Sequence, residues 1–225
     1  VAGWRGGFSC VVGNPPWEQT ELKEQEFFAS RDPEIARAVG AERKRRIREL
    51  TVSHTELADA FERAKRAAEA ISHFTRFSGR YPLCGRGRIN TYALFAETDR
   101  LILSPLGRSG TILPTGIATD ATTQHFFRDV VESSSLAAVY DFENAKPLFE
   151  GVHRSFKFCL LTLTGRSVHE AAADFAFFLH DPTEFARPGV RFPLKPDEIT
   201  LLNPNTGTLP IFRSRRDAEI TLGIY

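Results

Sequence analysis

Two successive prolines, Pro15 and Pro16, constrain the start of this chain more than any other feature. Each locks its own φ at about −65°. Each also biases the residue before it towards extended backbone, so Asn14 is held extended and Pro15 is restricted from both sides. They follow an apolar run, Phe8–Val12, and a glycine, Gly13. An apolar run bounded by glycine and proline reads as a buried strand ending in a stiff loop. That loop presents one amide side chain (Asn14), the Pro15 carbonyl and one large ring (Trp17) at low entropic cost. Gly13 allows another group to approach the backbone closely.

Beyond this loop, helical and strand patterns alternate. A helix is expected over Glu18–Ala29. Asp32 followed by Pro33 is an N-cap with proline at the first helical position, predicting a helix to about Leu50. Ser53 and Glu56 form a capping-box pattern for a helix ending at about Phe77, before Gly79. Asn90 is the expected cap of a helix to about Leu103, with Leu94 and Leu101 on one face, flanked by Phe95 and Ile102. Pro105–Gly110 reads as a turn and Thr111–Leu113 as a strand. A helix over Thr122–Val131 and strands over Leu136–Tyr140, Ser155–Thr164 and Asp174–Leu179 follow. Ser214 and Asp217 form a last capping box. Alternating strands and helices imply a parallel α/β sheet. The nearness of the Leu136 and Ser155 strands adds a terminal antiparallel strand hairpin.

With 225 residues, 42% of them hydrophobic and 25% charged, the chain can bury one large core. Its apolar runs are too short for a membrane span, and no secretory leader pattern opens it. Three widely spaced cysteines form no metal pattern with the six histidines and suggest a reducing, cytoplasmic setting. The net charge of +1 is small for a surface that grips nucleic acid. Contacts of that kind would then be local or lie on another part of a longer polypeptide. The start at Val1 and the lack of any methionine point the same way. The basic run Glu42–Arg48 reads either as a solvated helix face or as a phosphate contact.

Gly13–Trp17 resembles the catalytic loop of adenine-N6 DNA methyltransferases, an Asn/Asp/Ser-Pro-Pro-aromatic signature at the end of a strand. Adenine's 6-amino lone pair is delocalised into the ring. In that resemblance the Asn14 side chain and the Pro15 carbonyl accept its two hydrogens and localise the pair, and Pro16 stiffens the turn. Trp17 stacks on a base that has left the duplex. The gain is positional and electrostatic. The order of later segments is similar to the gamma class of these enzymes. Asn90–Glu97 resembles the helix that places an aromatic, Phe95, near the adenine of the cofactor S-adenosylmethionine. Gly110–Ile117 resembles the next strand and turn. Leu148–Val152 followed by Phe156–Leu161 resembles the motif that sets a second aromatic, Phe149, against the flipped base. Core packing remains the other reading of Phe95, and a buried loop anchor that of Phe149.

Asp141–Asn144 and Leu202–Thr208 extend the resemblance to methylase modules of fused type II restriction–modification enzymes and related phage-defence methyltransferases. The fold implied is α/β, a partial Rossmann-like S-adenosylmethionine-dependent methyltransferase domain. Residues 1–180 would be its catalytic half, with 18–89 as a helical insertion. Residues 181–225 would connect to a target-recognition domain, and an endonuclease could be attached. The partner implied is double-stranded DNA with a flipped adenine. The family's glycine loop and its ribose-binding acid precede the catalytic loop, where this chain has only Val1–Gly7. Most of the cofactor site is therefore expected upstream, and the isolated chain is expected to be inactive. Two other readings stay open. Enzymes that methylate release-factor glutamine carry a similar loop, and a fragment with an incomplete site could act as an interaction module.

Overall fold

The computed structural model describes residues 6–146 and 148–224. Most of the glycine-bearing lead-in, residues 1–5, and the terminal Tyr225 lie outside the described residues. The centre of the fold is a six-stranded mixed sheet built from β1 (Phe8–Gly13), β2 (Leu103–Pro114), β3 (Leu136–Glu143), β4 (Lys157–Thr164), β5 (Ala173–Leu179) and β6 (Phe192–Leu194). Their spatial order is β1-β2-β4-β3-β5-β6. β1 runs parallel to β2, and β3 parallel to β5. β4 lies antiparallel between β2 and β3, and β6 is antiparallel to β5. The expected α/β class and the β3–β4 hairpin are both present, and β5 and β6 continue the sheet beyond the hairpin.

Side chains alternate between the two faces of each strand. Leu113, Val139, Cys159, Leu161, Leu163, Phe175 and Phe177 fall on one face. There they pack with Tyr92, Ala93 and Ala96 of α5 (Thr91–Ile102) and Ile117 and Ala118 of α6 (Gly116–Thr119). Phe126, Phe127, Val130 and Val131 of α7 (Gln124–Glu132) join the same core. Phe126, Val130 and Phe175 are completely inaccessible. Burying each such side chain stabilises the fold by roughly 1.5–3 kcal/mol. Ile112, Tyr140, Phe142, Phe158, Leu160 and Ala176 face the other way and form a smaller cluster with Phe149 and Phe185. Ile199 and Leu202 of α8 (Pro196–Leu202) and Ala218 of α9 (Arg215–Leu222) complete the first core. Residues beyond 181 thus add a strand and two α-helices, after a short 3-10 turn over Pro182–Ala186, to the same body.

The segment before α5 has a core of its own. Phe28 of α1 (Glu24–Ala29), Ile35 and Ala36 of α2 (Pro33–Arg37), Leu50 of α3 (Gly40–Ser53), and Ala58 and Phe61 of α4 (Thr55–Phe77) pack together. The rings of Phe27, Phe28 and Phe61 touch within 5.4 Å of one another.

Several expectations are corrected. β1 is an edge strand with most of its residues exposed, not a buried one; Val12 is 79% accessible. The first helix starts only at Glu24, because Glu18–Thr20 is drawn against Ile89–Thr91 by backbone hydrogen bonds. Asp32 caps α2 through bonds from the Glu34 and Ile35 amides, as expected. That helix ends at Arg37, because Ala38 and Val39 are extended and Gly40 turns the chain at φ +56°. Ser53 does not cap α4. Its hydroxyl bonds back to the Glu49 carbonyl and closes α3, a competition usual for serine. In α5 the buried face is Tyr92, Ala93, Ala96 and Glu97, which leaves Leu101 exposed. β2 runs straight through Pro105. Between the Phe8–Leu103 and Cys10–Arg108 pairs the register slips, and the residue that cannot donate falls in that bulge. Gly165 is required nearby, since a Cβ there would sit 2.1 Å from the Ser104 carbonyl.

Candidate active site at the carboxyl edge of the sheet

β1, β2, β3 and β5 all end on one edge of the sheet, where β4 begins. Open α/β sheets bind ligands outside such strand ends. The Asn14–Trp17 loop leaves β1 at this edge. Gly13 pairs with Thr111, and a Cβ on Gly13 would meet nothing within 4 Å, so space is open beside it.

The loop is pinned from outside. The Thr91 hydroxyl donates to the Pro16 carbonyl at 2.6 Å and accepts from the Glu18 amide at 3.0 Å. The Thr91 amide donates to the Glu18 carbonyl, and Arg88 reaches Gln19. Thr91 is the first residue of α5, whose Asn90 side chain caps it as expected. Sequence reading missed Thr91, because its contact with Pro16 spans 75 positions. Among the described residues, neither the Asn14 side chain nor the Pro15 carbonyl takes part in a hydrogen bond. Asn14 is exposed. Both acceptors named from the sequence are therefore held rigidly by the chain and free to take donors.

Trp17 is half-buried, and its indole nitrogen is a buried donor without a partner among the described residues. Two rings flank it. Phe149 lies edge-on, 6.4 Å away at 77°. Phe156 lies nearly parallel, 5.7 Å away at 10°, and is 41% accessible. The structure thus brings Trp17 and Phe149 together, but their faces are not opposed; the ring facing Trp17 is Phe156. Phe149 also meets Phe158 edge-on at 5.0 Å. Buried Asn144 clasps this loop. Its Nδ2 donates to the carbonyls of Phe149 and Val152, and its Oδ1 accepts from the Phe149 amide. Phe95 stands one turn after Thr91 on the same helical face and is 45% accessible. It is exposed on the side of α5 that holds the loop.

Asp141 is buried at the end of β3. It accepts from the Thr115 hydroxyl at 2.6 Å and from the Phe178 amide at 3.3 Å. Burial raises its pKa, opposed by those two hydrogen bonds. Phe178 takes φ +59°, unusual for a residue with a side chain, at a point where the β3–β5 register shifts. Backbone in this region costs on the order of 1 kcal/mol.

Three arginines of the basic run of α3 are engaged within the chain. Arg45 pairs with Glu42 and Glu49, Arg46 with Glu42 and Glu34, and Arg43 bonds to the carbonyls of Ile35 and Ala36. Hydrogen bonds from Arg45 and then Arg46 lower Glu42 to about 2. The solvated-face reading holds for these arginines. A cleft of about 560 Å³ between α1, α3 and α4 is lined by Leu22, Ile47 and Phe61 among charges of both signs. None of the residues Asn14–Trp17 lines it.

No protein-family model and no curated protein matches the chain significantly. Solved structures do match in fold. The methyltransferase subunit of a type I restriction–modification system from Streptococcus thermophilus aligns over 95% of this chain and 39% of its own, at 12% identity and a TM-score of 0.51. A type I restriction–modification complex aligns over 97% and 42%, at 13% identity and 0.50. The type IIG restriction endonuclease BpuSI aligns over 84% and 19%, at 16% identity and 0.45. The chain thus has a methyltransferase-like α/β fold and spans about two-fifths or less of these three proteins. No described helix is long and apolar enough to cross a membrane.

Proposed function

We propose that this chain carries the target-base half of an adenine-N6 DNA methyltransferase of a restriction–modification or phage-defence system. The observation that carries the proposal is the pinned Asn14–Trp17 loop. It offers two unengaged acceptors beside an aromatic cluster, at the carboxyl edge of a sheet whose fold resembles restriction–modification methyltransferase subunits.

In this reading an extrahelical adenine places its 6-amino group between the Asn14 Oδ1 and the Pro15 carbonyl. Accepting both hydrogens draws the nitrogen towards tetrahedral geometry and localises its lone pair. The acceptors are fixed before the base arrives, so little reorganisation opposes their effect. Trp17 takes one face of the base. A base between two rings needs about two stacking distances of ~3.4 Å. The 5.7 Å Trp17–Phe156 pair is closer than that, so the base enters by displacing Phe156. Phe149, anchored by Asn144, then covers the base from its own loop.

S-adenosylmethionine, when bound, supplies an electrophilic methyl group. Of the residues present, Phe95 fits its adenine, and the open space at Gly13 leaves the loop approachable. No residue of this chain is assigned to the glycine loop or the ribose acid of the family. Transfer of labelled methyl from S-adenosylmethionine by the full-length protein tests the proposal. Label in duplex DNA, recovered as N6-methyladenine, supports it. Label in a release factor, or in neither substrate, overturns it.

A further inference from the structure

Phe178 lies at the end of β5 on the same edge as the Asn14 loop, and two cations lie over its ring. The Lys157 Nζ is 5.6 Å from the ring centroid and the Arg213 Cζ is 4.7 Å from it. The two charges are therefore no more than about 10 Å apart. Both side chains are exposed, and neither has a carboxylate within ion-pair distance among the described residues. Elsewhere on the chain Arg191 pairs with Asp174, Arg187 with Glu184 and Arg215 with Glu198.

The nearby acids are directed elsewhere. Glu143 sits opposite Lys157 in the β3–β4 register, but its carboxylate lies 3.6 Å from His180. Asp141 acts on Lys157 only through space; it is buried and engaged by Thr115 and the Phe178 amide. That last bond holds the left-handed turn at Phe178, and so fixes the ring against which both cations rest. Arg213 arrives from a distant part of the chain. Its segment is fixed by the Leu209 amide bonding to the Ala118 carbonyl, and Ile211 and Phe212 pack on the core. Two cations from different segments, set against one fixed ring and without anionic partners, make a place for an external anion. Lys157 follows Phe156 directly, and Phe156 stacks on Trp17. The anion therefore sits beside the base pocket.

We propose that Lys157 and Arg213, ordered by Phe178, clamp one backbone phosphate of the DNA strand that carries the target base. This rests on the function proposed above. Phosphate contacts set register and carry no base information, so the clamp serves positioning. The test is DNA binding by the full-length protein, followed by fluorescence anisotropy across a salt series. Lys157→Gln/Arg213→Gln is compared with Arg63→Gln/Arg66→Gln, which removes the same charge from exposed positions on α4. The clamp predicts that the first variant lowers the slope of log K against log salt by about one and weakens all sequences alike. The control should keep the native slope, and both should melt like the parent. An unchanged slope in Lys157→Gln/Arg213→Gln, with the parent protein binding and methylating DNA, overturns the clamp alone. An equal loss in the control also overturns it, by making the effect one of net charge. Absence of DNA binding by the parent overturns the function and the clamp with it.

Discussion

Asn144→Ala should loosen the aromatic loop without touching the acceptors of Asn14 and Pro15. The Asn144 side chain is fully inaccessible and makes three hydrogen bonds of 3.0–3.1 Å to the backbone of Phe149 and Val152. Its own amide donates to the Phe156 carbonyl, so one residue ties down the segments bearing both rings beside Trp17. Each lost bond costs roughly 0.5–1.5 kcal/mol net, and more where the stranded group stays dry. Phe149 is only partly buried, so water recovers part of the loss. A total of about 2 kcal/mol is expected, or a fall of roughly 4–8 °C in Tm for a domain of this size. Native-state hydrogen exchange reads the effect locally. The Phe149 amide, which donates to Asn144 Oδ1, should lose protection, while amides of β2 and β4 keep theirs. An unchanged Tm together with unchanged exchange at Phe149 would refute the view that Asn144 holds this loop.

Asp141 gives a pH-dependent prediction. Burial raises its folded pKa above the unfolded value, so the folded state holds the proton longer. Stability from this group should therefore fall as pH rises from the ordinary carboxylate range through the raised folded value, then level off. Asp141→Asn should lack that slope, gaining on the parent as pH rises; superimposable urea midpoints across the window would contradict it. Phe149→Ala should weaken binding of DNA with an extrahelical adenine by roughly 1–3 kcal/mol, with a smaller effect on nonspecific duplex binding. Fluorescence of 2-aminopurine at the target position reports the flipped base, and an unaltered signal with unaltered turnover would make Phe149 a loop anchor only.

What the sequence made legible was local. Asp32 with Pro33, and Asn90, announced their helix starts through side-chain capping that depends on three or four residues. The apolar runs of β3, β4 and β5 were evident for the same reason. Burial was not legible. The apolar character of Phe8–Val12 is that of an interior strand, yet β1 lies at the sheet edge in this chain. Nor could the pattern show that Pro105 falls in a bulge, since that depends on the register against β1. At the site, Asn14–Trp17 was legible because two prolines fix a conformation wherever they occur. Thr91, Phe156 and the Lys157–Phe178–Arg213 cluster were not, because each acts through partners brought close by the fold. The two available signals were weak: a threonine after a helix cap, and an aromatic two residues before a strand phenylalanine.

The central claim is that Asn14 accepts a hydrogen from the amine being methylated. Single-turnover methyl transfer by the full-length protein, with Asn14→Ala against the parent on the same DNA, tests it most directly. Asn14 is exposed and its side chain has no partner among the described residues, so the substitution should leave the fold and Tm unchanged. The account predicts a loss of on the order of a hundredfold or more in the transfer step, about 3 kcal/mol, with DNA binding little altered. Transfer to adenine at the parental rate would contradict it.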